Sequence, residues 1–426
     1  MRARNPSEDT FEEVPREEAF QLAQPVSRFA ETLKQSLLAL SFDIGGLLAG
    51  SILVTFSGVL SLAPWVLMIY PSILSMRGVI GGLFSGRLTT GLHLGTVRPS
   101  LRENTKSFHL LYFATVTLTL QSSLMMGLFA SFLSISLWGS PLADVSGILS
   151  VIITTMGLSL LFVSPATLGV SILAFRYGLD PDIIVYPVIS TFADILVTVC
   201  FILAIGLSFY PGHVGAYVAG LSDLFFALVV LFILARYRKE REFTRTIKEF
   251  SLALAVVTII ASVTGNFLGK VSQLIGSRPD IYVVYPALID TMGDIGSIVG
   301  STTTTKLALG TVDPSLKSIK RNIPEISGAC LSSAIWFVVF AAIAFDLTHS
   351  VFVLNELLML VAVLLILNLL AAPLMSVISY GVAVLTYRRG LDPDNFVIPF
   401  ESSLADSVTT ICLFILLSLF ARIGAA

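Results

Sequence analysis

Apolar residues in this chain neither alternate with polar ones at the period of a strand nor collect into narrow amphipathic stripes. They run in blocks of about 20 residues, separated by short polar connections, from Leu37 to Phe420. The blocks predict membrane-spanning helices near 36–57, 65–92, 109–136, 144–174, 184–209, 214–235, 250–269, 281–308, 323–345, 352–385 and 397–420. A charged stretch at 236–248 separates the sixth span from the seventh. Residues before Ser36 are polar, carry both signs of charge and lack the apolar core of a signal peptide, so they predict a short cytoplasmic tail.

The pattern repeats. YPSILSMRGVIGGLFSGRLTTGLHLGTVRPSL at 70–101 aligns without a gap on YPALIDTMGDIGSIVGSTTTTKLALGTVDPSL at 285–316, with nearly half the positions identical. GLDPDIIVYPVISTFADILVTVC at 178–200 aligns likewise on GLDPDNFVIPFESSLADSVTTIC at 390–412. The offsets are 215 and 212, so the chain is a duplication of five spans. Two five-span units joined directly would be inverted relative to each other. The span at 214–235 restores the first orientation. The expected fold is therefore all-α and polytopic, with eleven spans: two parallel five-helix repeats about a pseudo-two-fold axis along the membrane normal, joined by a linking helix. The divisions are 1–35, tail; 36–209, repeat 1; 210–249, linking helix and basic loop; 250–426, repeat 2. Basic residues concentrate in alternate loops (Arg98, Arg102, Lys106; Arg176; 236–248; Lys317, Lys320, Arg321; Arg388, Arg389). This places the N-terminus in the cytoplasm and the C-terminus outside the cell membrane.

Composition agrees: 55% hydrophobic and 13% charged residues, where soluble domains run at about 25% charged. A net charge of −2 offers nothing to nucleic acid. Cys200, Cys330 and Cys412 lie in apolar stretches with no metal-binding spacing and are expected to be packing residues.

Ionisable residues inside apolar spans are costly and mark function. They include Asp43, Arg77, Arg87, Asp194, Asp223, Asp290, Asp294, Lys306, Glu401 and Asp406. The duplication pairs Asp194 with Asp406. Each stands about 18 Å along a helix from its GLDPD turn, preceded by hydroxyls: Ser190 and Thr191, Ser402 and Ser403. Two such carboxylates near one axis would share a proton or hold a cation. Oxygen-only ligands suit a hard divalent cation, and Mg²⁺ keeps several of its waters. Asp290, Asp294 and Asp43, with Asn266, would add an acidic second site, and an ion pair from Arg77 to one of these acids is the structural alternative. Pro71 and Pro286 are expected to bend or break their spans, and spans 2, 5, 8 and 11 to line the pore. Asp180 and Asp392 are expected to cap helices at the GLDPD turns.

GLDPDNFVIPFESSLADSVTT and YPVISTFADILVT resemble the fifth membrane span of the MgtE magnesium transporters, and GLFSGRLTTGLHLGTV resembles the second span of their duplicated branch, solute carrier family 41. The resemblance covers roughly 36–209 and 250–426. It implies an Mg²⁺ channel or transporter with its pore between two five-span units, and it carries the ion-site aspartates onto Asp194 and Asp406. Two MgtE chains would be replaced by one, so a monomer is expected to be complete. No CBS-type sensor is expected, since about 35 residues precede the first span. Partners are then divalent cations and the bilayer. The close alternative is a Na⁺- or H⁺-coupled exchanger exporting Mg²⁺. The remote one is an intramembrane aspartyl protease, suggested only by Met-Gly-Asp at 292–294.

Overall fold

The computed structural model describes residues 25–60, 62–93, 95–100, 103–177, 181–210, 214–275, 278–308, 310–349, 351–390 and 394–423. Among the described residues every regular element is a helix. Helix α1 (Pro25–Ala39) passes through a 3-10 turn (Leu40–Asp43) into α2 (Ile44–Thr55), followed by the single turn α3 (Ser57–Leu60). Long helices follow: α4 (Pro64–His93), α5 (Lys106–Trp138), α6 (Asp144–Arg176), α7 (Pro181–Ser208) and α8 (Val214–Tyr237). Then come α9 (Arg241–Ile275), α10 (Pro279–Ala308), a 3-10 segment (Leu316–Asn322), α11 (Ile323–Thr348), α12 (Leu354–Arg388) and α13 (Asp394–Ile423). Ten helical segments among the described residues are long and apolar enough to cross a membrane. The chain is an all-α polytopic membrane protein.

The eighth expected span, 281–308, forms as α10 but falls outside that set. It carries Asp280, Asp290, Asp294 and Lys306. Their setting explains how it carries them: α10 is enclosed by α2, α11, α12 and α13. Val284, Ala287 and Leu288 on this helix are fully buried. A helix surrounded by protein need not be apolar on every face.

Three further differences from expectation have local causes. The first span starts at Pro25 rather than 36, because α1 docks on α11. Arg28 joins Glu325 at 3.1 Å there. The charged stretch 236–248 is mostly helical: only Arg238–Glu240 separates α8 from α9. Of bending and breaking, Pro71 and Pro286 do not break their helices, which run on through them. Each is the eighth residue of its helix, and the short turn before it is held by a neighbour.

That neighbour is a glycine in both cases. A Cβ on Gly265 of α9 would stand 1.8 Å from the Met68 carbonyl oxygen on α4. One on Gly50 of α2 would stand 2.0 Å from the Val283 carbonyl oxygen on α10. Only a hydrogen fits in that space, and Cα–H to carbonyl approaches of this kind are common where helices cross. Gly265 lies 215 positions after Gly50, as Val283 does after Met68. Other contacts keep the offsets. Ser72 Oγ donates to the Ala261 carbonyl at 2.8 Å, while Gly46 lies against Ala287. Tyr70 bonds Thr198, and Tyr285 bonds Thr410, both at 2.8 Å. The opening helix of each half thus packs on the second long helix of the other.

Gly→Ala in a helix ordinarily gains about 0.5–1 kcal/mol. Here overpacking should reverse the sign by about 1–3 kcal/mol. Gly50→Ala and Gly265→Ala are expected to lower the thermal unfolding temperature in detergent. Gly169→Ala and Gly206→Ala, whose new Cβ would meet nothing within 4 Å, are expected to leave it unchanged or raise it.

Candidate cation cavity

Helices α4, α7, α10 and α13 come together around a cavity of about 50 Å³. Ser75 and Arg77 reach it from α4, Ser190 and Asp194 from α7, Asp290 from α10 and Asp406 from α13. The two aspartates paired by the duplication therefore line one cavity, and each lies 12 or 13 residues into its helix. Each also holds its helix in the same manner one turn on. Thr198 Oγ1 donates to the Asp194 carbonyl, and Thr410 Oγ1 to the Asp406 carbonyl, both at 2.6 Å.

The carboxylates have different partners. Asp194 is in hydrogen-bond contact with Asp290, with the charge of Arg77 nearby. Two carboxyls in that contact must share a proton or a cation, since bare like charges repel. Asp406 accepts from Ser75 Oγ. The four residues form a cross-over pair: Ser75 and Asp290 occupy equivalent positions in the two halves, and each meets the aspartate of the opposite half. Asp43, placed by the 3-10 turn before α2, accepts from Thr291 Oγ1 at 2.7 Å. It also lies within electrostatic reach of Asp294 and Asp194. The five aspartates named from the sequence thus follow one another within electrostatic reach, Asp406–Asp194–Asp290–Asp43–Asp294.

Glu401 extends the string beside Asp294. It is 2% exposed, and neither carboxylate oxygen has a hydrogen-bond partner among the described residues, although Ser379 stands alongside. Its position in the first half is Ile189. Because the acid occurs on one side only, the repeat pairing did not single it out. The signal that could have done so is a carboxyl inside an apolar span, five residues before a paired aspartate.

Not every expected residue joins the string. Ser190 does. Thr191 Oγ1 instead donates to the Phe42 carbonyl at 3.1 Å, and its methyl faces Gly45, so it ties α7 to the first span. Asn266 Oδ1 accepts from Trp138 Nε1 at 2.7 Å. Ser403 is buried, and its carbonyl accepts from Ser407. Asp180 and Asp392, and the side chain of Ser402, lie outside the described residues. Asp223 accepts from Thr154, Arg87 donates to Thr246, and Lys306 pairs with Glu325 at 2.7 Å. These three serve helix contacts.

Among the described residues no three His, Cys, Asp or Glu side chains close on a single point as a chelating set. The donors are strung along a path and offer oxygen only. That arrangement suits a cation that keeps part of its water shell.

Comparison with family models finds MgtE, divalent cation transporter, matching residues 70–205 and again 285–416. Comparisons with curated proteins and with solved structures give no match.

A buried hydrogen bond to a carboxylate is worth about 1.5–3 kcal/mol. Ser75→Ala and Thr291→Val, which remove the donors to Asp406 and Asp43, should each lower thermal stability on that scale. A double-mutant cycle of Ser75→Ala with Asp406→Ala should show coupling of about 0.5 kcal/mol or more, whereas Ser75→Ala with Asp223→Ala should be additive.

Proposed function

The chain belongs to the MgtE family of divalent cation transporters, and on that premise we propose that it moves Mg²⁺ between its two halves, with Asp194 and Asp406 as the central site. The observation that carries this is the single cavity on which both aspartates and Asp290 converge, from helices of both halves. Asp290, Asp294 and Asp43 form the approach to it, and Ser75 and Ser190 bind the ion's remaining waters.

The chemistry favours Mg²⁺ on two counts. The donors are hard oxygens with no His or Cys. They also belong to separate helices, which can grip a hydrated ion without replacing its octahedral shell.

The two halves act as parallel repeats, 36–209 and 250–426, linked by 210–249, and one chain supplies both walls of the pore. Support comes from the double family match, whose segments begin 215 residues apart, and from the contacts that recur at the offsets of 215 and 212. The N-terminus is cytoplasmic. Support for this comes from three of the basic loops meeting one another, with Lys106 on Glu240 at 2.8 Å and Arg176 on the Pro99 carbonyl at 2.7 Å, so that the positive-inside rule applies to them together.

A second reading, coupled exchange, is favoured by Glu401. A carboxyl buried beside Asp294, with Ser379 as its hydroxyl neighbour, holds a proton or a small cation, which provides a place for a coupling ion.

The test is Mg²⁺ flux in proteoliposomes. Asp194→Asn and Asp406→Asn are each expected to cut flux at least tenfold in folded protein. Normal transport by both would remove these residues from the ion path. If flux follows an imposed Na⁺ or pH gradient, and Glu401→Gln abolishes that dependence while retaining Mg²⁺ binding, the protein is an exchanger. Flux indifferent to both gradients makes it a channel.

A further inference from the structure

The cavity contains a cation of the protein's own. Arg77 is 7% exposed and lines the same space as Asp194, Asp290 and Asp406. Its guanidinium folds back over Gly81, one turn further along α4. A Cβ on Gly81 would stand 2.6 Å from Nη1 and 3.2 Å from Cζ. The bare glycine is therefore the seat of the charged group.

Beyond that seat lies a second cavity of about 30 Å³, between α4, α5 and α6. Arg77 and Gly81 border both cavities. The side cavity has no acid in its lining. It offers hydroxyls instead, among them Thr115, Thr119, Ser159 and Thr167. Each of these four donates its own proton to a backbone carbonyl one turn back, at 2.8–3.0 Å. Their oxygen lone pairs are left as acceptors, and a guanidinium is all donors, five in a fork. The second half has Met292 where the first has Arg77, so the device is one-sided.

We propose that Arg77 is a tethered counter-cation: it neutralises the aspartates while the ion cavity is empty, and it swings across Gly81 into the hydroxyl-lined side cavity when a divalent cation takes its place. This rests on the cavity being the transport site, as proposed above. It makes Arg77 a specificity-determining residue. A divalent ion displaces the arginine by virtue of its second charge. A monovalent ion, matching the arginine in charge, lacks that advantage. Without Arg77 the cavity would hold cations more tightly and choose among them less well.

The experiment is Mg²⁺ and Na⁺ binding to the full chain in detergent by calorimetry, alongside flux in proteoliposomes. Arg77→Met, which installs the residue of the other half, is expected to tighten Mg²⁺ binding about tenfold, the scale on which one neighbouring charge acts at a buried ionic site. The half-saturating concentration for flux should fall in step, and Na⁺ should compete with Mg²⁺ where it does not in the unmodified protein. Arg77→Lys should stay near the unmodified affinity, because the charge is retained. Should Arg77→Met fail to fold, Arg77→Ala with added guanidinium chloride serves: guanidinium should compete with Mg²⁺ in this variant only. Unchanged or weaker Mg²⁺ binding in the Met variant, or no competition by guanidinium in the Ala variant, overturns the proposal. Asp406→Asn separates the two claims. Lost Mg²⁺ binding there with unchanged binding in Arg77→Met refutes only the role of Arg77. Mg²⁺ binding that neither Asp406→Asn nor Asp194→Asn disturbs refutes the transport site itself.

Discussion

A carboxylate cannot stay charged in an apolar interior without a partner, and this chain puts at least six of them there. Much of the architecture answers that constraint. α10 carries three acids because other helices enclose it. α2 brings Asp43 to Thr291 through a 3-10 turn. Ser75 meets Asp406 from the opposite half, and Arg77 sets its charge beside Asp194. A string of buried acids with oxygen neighbours is unstable as a structural device and well suited to a passing cation. On the proposed function, the same charges that would destabilise an ordinary helix bundle form the path of the ion.

The close crossings at Gly50 and Gly265 make this geometry possible. Each brings the opening helix of one half against the second long helix of the other. Neither half can then build its wall of the cavity alone, and residues 75 and 290 each come to face the aspartate of the opposite half. The pairing is not strict. Position 75 is Ser where 290 is Asp, and position 77 is Arg where 292 is Met. A carboxyl pair on one side is balanced by a serine–carboxyl pair and an arginine on the other. Divergence after duplication would let one cavity hold an ion and a counter-charge, a division of labour that two identical chains cannot have.

Much of this was legible in the sequence, for physical reasons. Apolar blocks of membrane length mark the helices. The offset of 212 aligns Asp194 with Asp406, and ionisable residues stand out against an apolar background at Asp43, Asp290 and Asp294. What was not legible depends on tertiary contact. Thr191 sits one residue from Ser190 yet faces α2 instead of the cavity, because helix rotation decides which face is which. Asn266 was grouped with the acids by polarity, but Trp138 takes its oxygen. The polar residues at 25–35 become helix because α11 offers Glu325 to Arg28. The hydroxyls of the side cavity were hidden in the apolar runs of α5 and α6, where Ser and Thr commonly bond their own backbone and pass for packing residues.

The central claim is that the cation rests between the two halves, on the aspartates paired by the duplication. The most direct measurement is a crystal structure of the full chain grown with Mn²⁺ as a stand-in for Mg²⁺, with anomalous scattering recorded to locate the ion. The account predicts a peak within water-bridging distance of both Asp194 and Asp406, beside Ser75 and Ser190. Ordered Mn²⁺ confined to loops or helix ends, with no anomalous peak among these four residues, would contradict it.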